Sequence, residues 1–370
     1  MKAAVLHQVG KIEDLEKNLL VEEVDTPQIN SDEVLIQINY AALNHRDVFI
    51  TQGLYSGINL PCILGSDCSG VVVEKGSNVK NVSEGDEVVV NPSLNWGDNE
   101  KHQIEKNYKI LGLPDNGTFA EYLKINKYFV HKKPGNLSML EAGALPLGGA
   151  TAYRATILKG DIKKNENLLA ARKGKLGYSA VTSQSMIIKS NIKNNENVLV
   201  TGIGGGVATF ALLFALSRTP NVFVTSGKDS KIQKAKHLGA IDGVNYKNEN
   251  WSKELLQKMN YKIDVIIDGT GGEPLAKLME MCSYGARIVS YGATLGDIPN
   301  FAVRRIFWKQ LQLLGTTMAS DKDFKKMLEY VEVNNIKPVI DDVFELNNIA
   351  KAFKRMESGQ QFGKIVIKIN

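Results

Sequence analysis

The first ~140 residues alternate apolar and polar positions in short runs, Glu33 to Ile38, Gly70 to Glu74 and Glu87 to Asn91, broken by Gly, Pro, Asn and Asp. A period of two with such punctuation predicts half-buried strands, so this stretch reads as an all-β region that opens with a strand at Met1 to His7. Past Asn197 the pattern changes. Apolar runs of strand length (Val198 to Thr201, Val222 to Thr225, Asp264 to Asp268, Ala286 to Tyr291, Gln312 to Thr316) alternate with helical stretches, one through Leu216 and one from Ser230 to Leu238. That alternation predicts an α/β fold, a parallel sheet with crossover helices. The tail, Asp342 to Leu346, a helix Asn347 to Met356 and Gly363 to Ile369, returns to mixed character.

One segment departs from this order. Ile157 to Leu169 (ILKGDIKKNENLL) recurs as Ile187 to Leu199 (IIKSNIKNNENVL) at a constant shift of 30 residues. Two copies are too few for a solenoid, so the repeat reads as a local tandem duplication at a domain junction. Insertions there add little loop entropy. A displaced first strand and an error in the underlying gene model are the competing readings. The second copy is expected to supply the first strand of the parallel sheet, because only its strand runs directly into glycines; Leu168-Leu169-Ala170-Ala171-Arg172 does not.

A length of 370 residues sets an expectation of two domains. No apolar run approaches the ~20 residues needed to cross a bilayer, and the N-terminus lacks a secretory pattern, which sets cytoplasmic residence as the expectation. The three cysteines, Cys62, Cys68 and Cys282, form no CxxC pair and read as buried thiols. Net charge is +5, but the lysines are scattered and no basic stripe is interleaved with aromatics, which argues against nucleic acid as a partner.

The strongest chemical signal is Val198-Leu199-Val200-Thr201-Gly202-Ile203-Gly204-Gly205-Gly206-Val207-Ala208, an apolar strand entering glycines and then an apolar helix. Glycines in this setting let the backbone approach a pyrophosphate seated on the helix N-terminus. The strict G-x-G-x-x-G is not met, since Val207 takes its last place. About 20 residues on, where an enzyme using NAD carries an acidic residue for the ribose, stand Ser226, Gly227 and Lys228. Ser226 at the strand end with Lys228 and Lys231 behind it suits a 2′-phosphate, so NADPH is the expected cofactor. A merely solvated helix start is the competing reading of the two lysines. Asp229 is expected to cap the next helix.

These residues, with Leu43-Asn44-His45-Arg46-Asp47, PCILGSDCSG from Pro61 to Gly70, Gly85-Asp86-Glu87-Val88, GTFAEY from Gly117 to Tyr122 and Gly363-Lys364-Ile365-Val366, resemble the medium-chain dehydrogenase/reductase superfamily over nearly the whole chain. The resemblance implies a GroES-like β domain (1–145, with 318–370 returning to it), a doubly wound Rossmann domain (146–317), and an active site in the cleft between them. Alcohol dehydrogenases of the superfamily hold catalytic zinc at three positions where this chain carries Asn44, Ser66 and Leu147. No cysteine lies between Val90 and Thr118, where the structural zinc lobe would fall. The implied relatives are therefore zinc-free quinone oxidoreductases and enoyl reductases, with no metal expected.

By the same resemblance Asn44, Tyr55 and Thr151 line the nicotinamide end. Tyr55 is the candidate proton donor or oxyanion partner; a loop-capping aromatic between Gly53 and Gly57, with solvent donating the proton, is the competing reading. Gly202, Gly204, Gly205, Gly206, Val207, Ser226, Lys228, Lys231, Tyr246, Thr270, Tyr291, Gly292, Leu314, Gly315, Phe362 and Lys364 are the expected cofactor contacts, Tyr246 standing after the third strand. Asp67 is expected to order its loop or pair with a basic residue, His45 to be a core histidine, and Arg46 to partner Asp47 or contact the cofactor. The strand Leu311 to Met318 implies a homodimer. The expected activity is hydride transfer from NADPH to a quinone or α,β-unsaturated carbonyl, a small-molecule acceptor. An NADPH-binding protein without turnover and a zinc-type alcohol dehydrogenase are the alternatives.

Overall fold

The long alternating run around Val34, Ile36 and Ile38 forms the strand Glu33–Ala42, with those three side chains fully buried on one face. Around it the computed structural model, which describes residues 1–104, 106–164 and 196–370, builds a seven-stranded sheet. Its order is Val130–Lys132, Glu87–Val90, Asp67–Lys75, Glu33–Ala42, Lys364–Lys368 and Ile340–Glu345, with Tyr122–Asn126 also on Glu33–Ala42. A smaller sheet of Leu19–Glu23, Lys2–Leu6 and Cys62–Ile63 adds its apolar face to the same core. The C-terminal tail thus returns to the N-terminal β region, and Met1–Ala150 with Met318–Asn370 makes one compact unit.

Register within this unit decides what meets at the ends of its strands. Ala42 pairs with Asp67 on one side and with Val366 on the other. Continuing two residues along the antiparallel pair brings Lys364 level with Asn44, as the Leu43 N–H to Ile365 carbonyl bond of 3.0 Å confirms. Asn44, Asp67 and Lys364, far apart in sequence, therefore share the end of three adjacent strands.

The second unit, Thr151–Thr317, is the α/β part. Six parallel strands run in the order Asp242–Asn245, Val222–Ser226, Val198–Val200, Val265–Asp268, Arg287–Ser290, Gln312–Gly315, which is 3-2-1-4-5-6 by appearance. Nucleotide ligands of such sheets sit where the order reverses, outside the carboxyl ends of the first and fourth strands. The first strand, Val198–Val200, comes from the second copy of the tandem repeat; the first copy's Leu168 to Arg172 stretch lies outside the described residues. Tyr246 follows the third strand, Asp242–Asn245, which the sequence pattern had not delimited. Among the described residues no helix is long and apolar enough to cross a membrane.

Candidate functional site

At the shared strand ends of the first unit, Lys364 is 98% buried and uses all three ammonium hydrogens, on Leu43 O, Asn44 Oδ1 and Asp67 Oδ2, each at 2.8 Å. Asn44 Nδ2 donates to the same Asp67 oxygen at 2.9 Å, and the Leu147 N–H donates to Asp67 Oδ1 at 2.7 Å. Because lysine only donates and carboxylate only accepts, the Asn44 amide can take just one orientation. The three positions read against a zinc ligand set lie close by. Leu147 contributes a backbone N–H and an apolar side chain. Ser66 accepts from Arg46 Nη1 at 2.7 Å and donates to Leu111 O at 2.7 Å. Of the residues expected on the cofactor, Lys364 has its ammonium fully committed here, and Phe362 is buried with its N–H on Asp341 Oδ1.

The helix His45–Thr51 starts from this network. Asn44 and Asp47 form a capping box, with the Asn44 N–H on Asp47 Oδ2 at 2.8 Å. Arg46 approaches Asp47 only to 3.9 Å, and Asp47 Oδ1 has no hydrogen-bond partner. Burial therefore outweighs the Arg46 charge and pushes the Asp47 carboxyl up to about 6. Below about pH 4 this group is protonated folded or unfolded. Between pH 4 and 6 the unfolded chain ionises first, so stability falls as pH rises, and above 6 the full penalty, on the order of 3 kcal/mol, is present. Asp47→Asn keeps an acceptor for the cap and cannot ionise. Its melting temperature should exceed the parent's at pH 7.5 by several degrees and converge with it near pH 4, as differential scanning fluorimetry across that range will show.

Tyr55 is two-fifths exposed, with the Arg46 guanidinium carbon 5.7 Å from its ring centroid. His45 is half-buried, its ring 6.1 Å from Phe49. Thr151 belongs to the second unit, and its buried hydroxyl has no partner.

In the second unit the glycine turn leaves the first strand at the sheet's switch point. Gly202 and Gly204 take φ of +61° and +115°, and Gly205 stands at the N-cap of the helix Gly206–Leu216 with no side chain capping it. The helix start, including Val207, is thus open to an anion. Beneath the turn lies a group the sequence reading missed. Asp268, wholly buried, accepts from Thr201 Oγ1 at 2.5 Å, Thr270 Oγ1 at 2.7 Å and the Gly271 N–H at 2.9 Å. It ties the first and fourth strand ends together, and its signal was a carboxylate at the end of an apolar strand just before Gly-Thr-Gly.

At the second strand's end, a Cβ on Gly204 would lie 2.6 Å from Lys231 Cδ and 2.9 Å from its Nζ, so the Lys231 side chain lies across the turn. A Cβ on Gly227 would lie 2.9 Å from the Tyr246 hydroxyl. Lys228, Lys231 and Tyr246 therefore gather around one strand end. Two expectations there are corrected. Ser226 is turned inward, its hydroxyl donating to Ile203 O at 3.3 Å and accepting from the Lys228 N–H, so it braces the turn. Asp229 is the first helical residue and Lys228 the N-cap, with no side-chain cap bond; the carboxylate complements the helix dipole instead. Tyr291 packs on Gly269, where a Cβ would lie 2.4 Å from its ring, and burial raises its phenol far above the ordinary range. Thr270 and Gly292 share that edge, while Leu314 and Gly315 end the outer strand.

Two family descriptions match the chain: an alcohol dehydrogenase GroES-like domain over residues 30–135 and a zinc-binding dehydrogenase over residues 238–367. The zinc-type alcohol dehydrogenase-like protein YogA of Leptosphaeria maculans is 34% identical over 364 residues, covering 94% of this chain and 93% of that protein. A 2-methylene-furan-3-one reductase of Solanum lycopersicum is 30% identical, covering 99% of this chain and 79% of that protein. The crystal structure of an NAD-dependent alcohol dehydrogenase superposes with a TM-score of 0.85 at 31% identity, covering the whole of both chains.

Proposed function

The chain belongs to the medium-chain dehydrogenase/reductase superfamily and is an oxidoreductase of that family; from that premise we propose that it reduces quinones or α,β-unsaturated carbonyls with NADPH and without zinc. The observation that carries this reading is the Lys364 ammonium, hydrogen-bonded to Asn44 and Asp67 beside the positions where relatives would hold a metal. Leu147 has no donor atom, the Asn44 carbonyl is turned to Lys364, and the Ser66 hydroxyl is committed to Arg46 and Leu111. A Zn²⁺ bound there would also face a fixed positive charge, a repulsion of roughly 8 kcal/mol for a divalent ion at about 4 Å and an effective dielectric of 20. The residues do not fit zinc.

They do fit a dinucleotide in the second unit. Gly202, Gly204, Gly205 and Gly206 with Val207 would hold the pyrophosphate, and Lys228, Lys231 and Tyr246 the 2′-phosphate, with no carboxylate at the second strand's end to repel it. When bound, NADPH supplies a hydride, which a conjugated double bond or quinone ring accepts without a Lewis acid. The first unit's part is to receive the negative charge that then builds on the acceptor's oxygen. Asn44, its amide orientation locked, uses one N–H on Asp67 and retains a second, and Tyr55, resting on Arg46, is the phenol on this side. The sheet edge Gln312–Gly315 and the helix Val303–Lys309 expose Leu313, Phe307 and Trp308, which supports a homodimer and is measurable by sedimentation.

The test is NADPH and NADH oxidation against 2-cyclohexen-1-one and a quinone panel, with and without chelator. NADPH should be preferred at least tenfold and chelation should change nothing. The double variant Lys228→Ala/Lys231→Ala should cut that preference about 10- to 100-fold through NADPH alone, the expected size for losing charge-assisted contacts to a phosphate. Equal use of NADH, or stoichiometric zinc lost together with activity, would overturn the reading.

A further inference from the structure

The tandem repeat plays no part in the dinucleotide site, yet the described residues on either side of it meet. The helical stretch Arg154–Lys159 leads to Gly160, whose carbonyl accepts from Arg287 Nε at 2.7 Å, while Arg287 Nη2 donates to Glu196 Oε1 at 2.6 Å. One side chain at the start of the fifth strand, Arg287–Ser290, thus holds Gly160 of the first copy and Glu196 of the second. Glu196 Oε2 accepts from the Lys163 N–H at 2.9 Å, its carbonyl accepts from the Thr219 hydroxyl at 3.4 Å, and Arg218 Nε donates to Ile162 O at 3.0 Å. Asn197 then enters the sheet, its N–H on Asp264 Oδ2 and its amide on Met259 O and Lys262 O, each at 2.9 Å.

The Lys163–Glu196 bond spans 33 residues of chain. The repeat recurs at a shift of 30, and Asn165-Glu166-Asn167 of the first copy returns as Asn195-Glu196-Asn197 in the second. Taking out one repeat length, residues 165–194, would join Lys164 to Asn195, restore the Lys-Lys-Asn-Glu-Asn run of the first copy, and leave Lys163 and Glu196 three residues apart. At that spacing a carboxylate reaching back to an N–H is an ordinary local closure. The chain makes it elsewhere, Glu33 on the Asn30 N–H at 3.0 Å, and Asp86 on that of Ser83 and Glu141 on that of Ser138, both at 2.8 Å. A finished local turn therefore already stands at Lys163 and Glu196, with one repeat length entering and leaving through it. Nor is the strand that follows displaced. Val198–Val200 lies between Val222–Ser226 and Val265–Asp268 and runs into the glycine turn.

We infer that residues 165–194 are a removable excursion, and that the chain lacking them keeps the parallel sheet and the dinucleotide site of the second unit unchanged. The clasp of Gly160, Arg287 and Glu196 sets where the first strand begins, and Glu196 supplies from the second copy what a glutamate three residues after Lys163 would supply locally. Every residue proposed for the pyrophosphate and the 2′-phosphate, from Gly202 to Tyr246, lies beyond the join. The cofactor readout of this inference rests on the NADPH reading; its fold readout does not.

Three proteins test this: the full-length chain, the chain without residues 165–194, and a chain in which those residues are replaced by a glycine-serine linker of equal length. The Kd for NADPH, by isothermal titration, should agree within about twofold among the three. The shortened chain should melt at or above the parent's temperature, because closing a shorter loop costs less entropy, and the linker chain should melt below the shortened one. A shortened chain that is insoluble, melts several degrees below the parent, or binds NADPH about tenfold more weakly would overturn the inference. Were the linker chain then to match the parent, the length of the excursion would be what the fold requires, and the turn at Lys163 and Glu196 would not be a finished one. Were both to fail, residues 165–194 would contribute through their own sequence. Absence of NADPH binding by the full-length chain would defeat the cofactor reading alone, and the melting temperatures would still decide whether the excursion is removable.

Discussion

Replacing Lys364 with methionine should destabilise the protein by about 3–5 kcal/mol, the range for leaving one partner of a buried ion pair uncompensated. The side chain is among the most enclosed charges in the chain, and each of its three hydrogens has a named acceptor at 2.8 Å. Methionine fills much of the volume but leaves the Leu43 carbonyl and Asn44 Oδ1 without donors and the Asp67 charge without its cation. For a unit of about 200 residues, roughly 2–4 °C per kcal/mol converts this to a melting point lower by about 6–20 °C. The double variant Lys364→Met/Asp67→Leu should recover part of the loss, since it removes both charges; the Leu147 N–H and the Asn44 amide would still be orphaned, so recovery stays incomplete. A thermal melt of parent, both single variants and the double variant yields the coupling directly. Additive losses in that cycle would mean that Lys364 and Asp67 act independently, and the account of the site would fail.

Why the place of Lys364 between Asn44 and Asp67 escaped a reading of the sequence, while most of the elements did not, follows from what each depends on. Strands such as Glu33–Ala42 and Val222–Ser226 announce themselves through local alternation or apolar runs, and the glycine turn through a run of residues that tolerate positive φ. Those signals are short-range. The third parallel strand, Asp242–Asn245, carries only one large apolar side chain and was left without bounds; its place is fixed by pairing with Val222–Ser226, not by its own composition. The site is less legible still. That Asn44, Asp67 and Lys364 meet depends on the registers of two strand pairs, one of which spans more than 300 residues of chain. Likewise, Lys364 and Lys231 are the same residue type beside glycine-containing stretches, and only the structure shows one sealed among carbonyls and the other lying across Gly204.

The same dependence on geometry makes Gly202 the position where the smallest change should remove the most binding. Gly202→Val is expected to weaken NADPH at least 100-fold, about 2.7 kcal/mol, by isothermal titration. A β-branched residue at φ +61° is strained by itself. Its Cβ would also lie 2.7 Å from Thr270 Cγ2, and Thr270 cannot retreat freely, because its hydroxyl is held 2.7 Å from Asp268. Either the turn lifts away from the helix N-terminus or the Thr201, Asp268 and Thr270 network opens; both displace the N–H groups that would face the pyrophosphate. Gly204→Ala supplies the contrast. Its φ of +115° is also strained, but the atoms its Cβ would meet belong to the flexible Lys231 side chain, which can swing aside. That variant should therefore lose less affinity overall and lose it chiefly for NADPH, with NADH nearly unaffected, since what moves is the lysine assigned to the 2′-phosphate. Equal losses for the two cofactors in Gly204→Ala would detach Lys231 from that role, and NADPH binding undiminished by Gly202→Val would place the dinucleotide somewhere other than this turn.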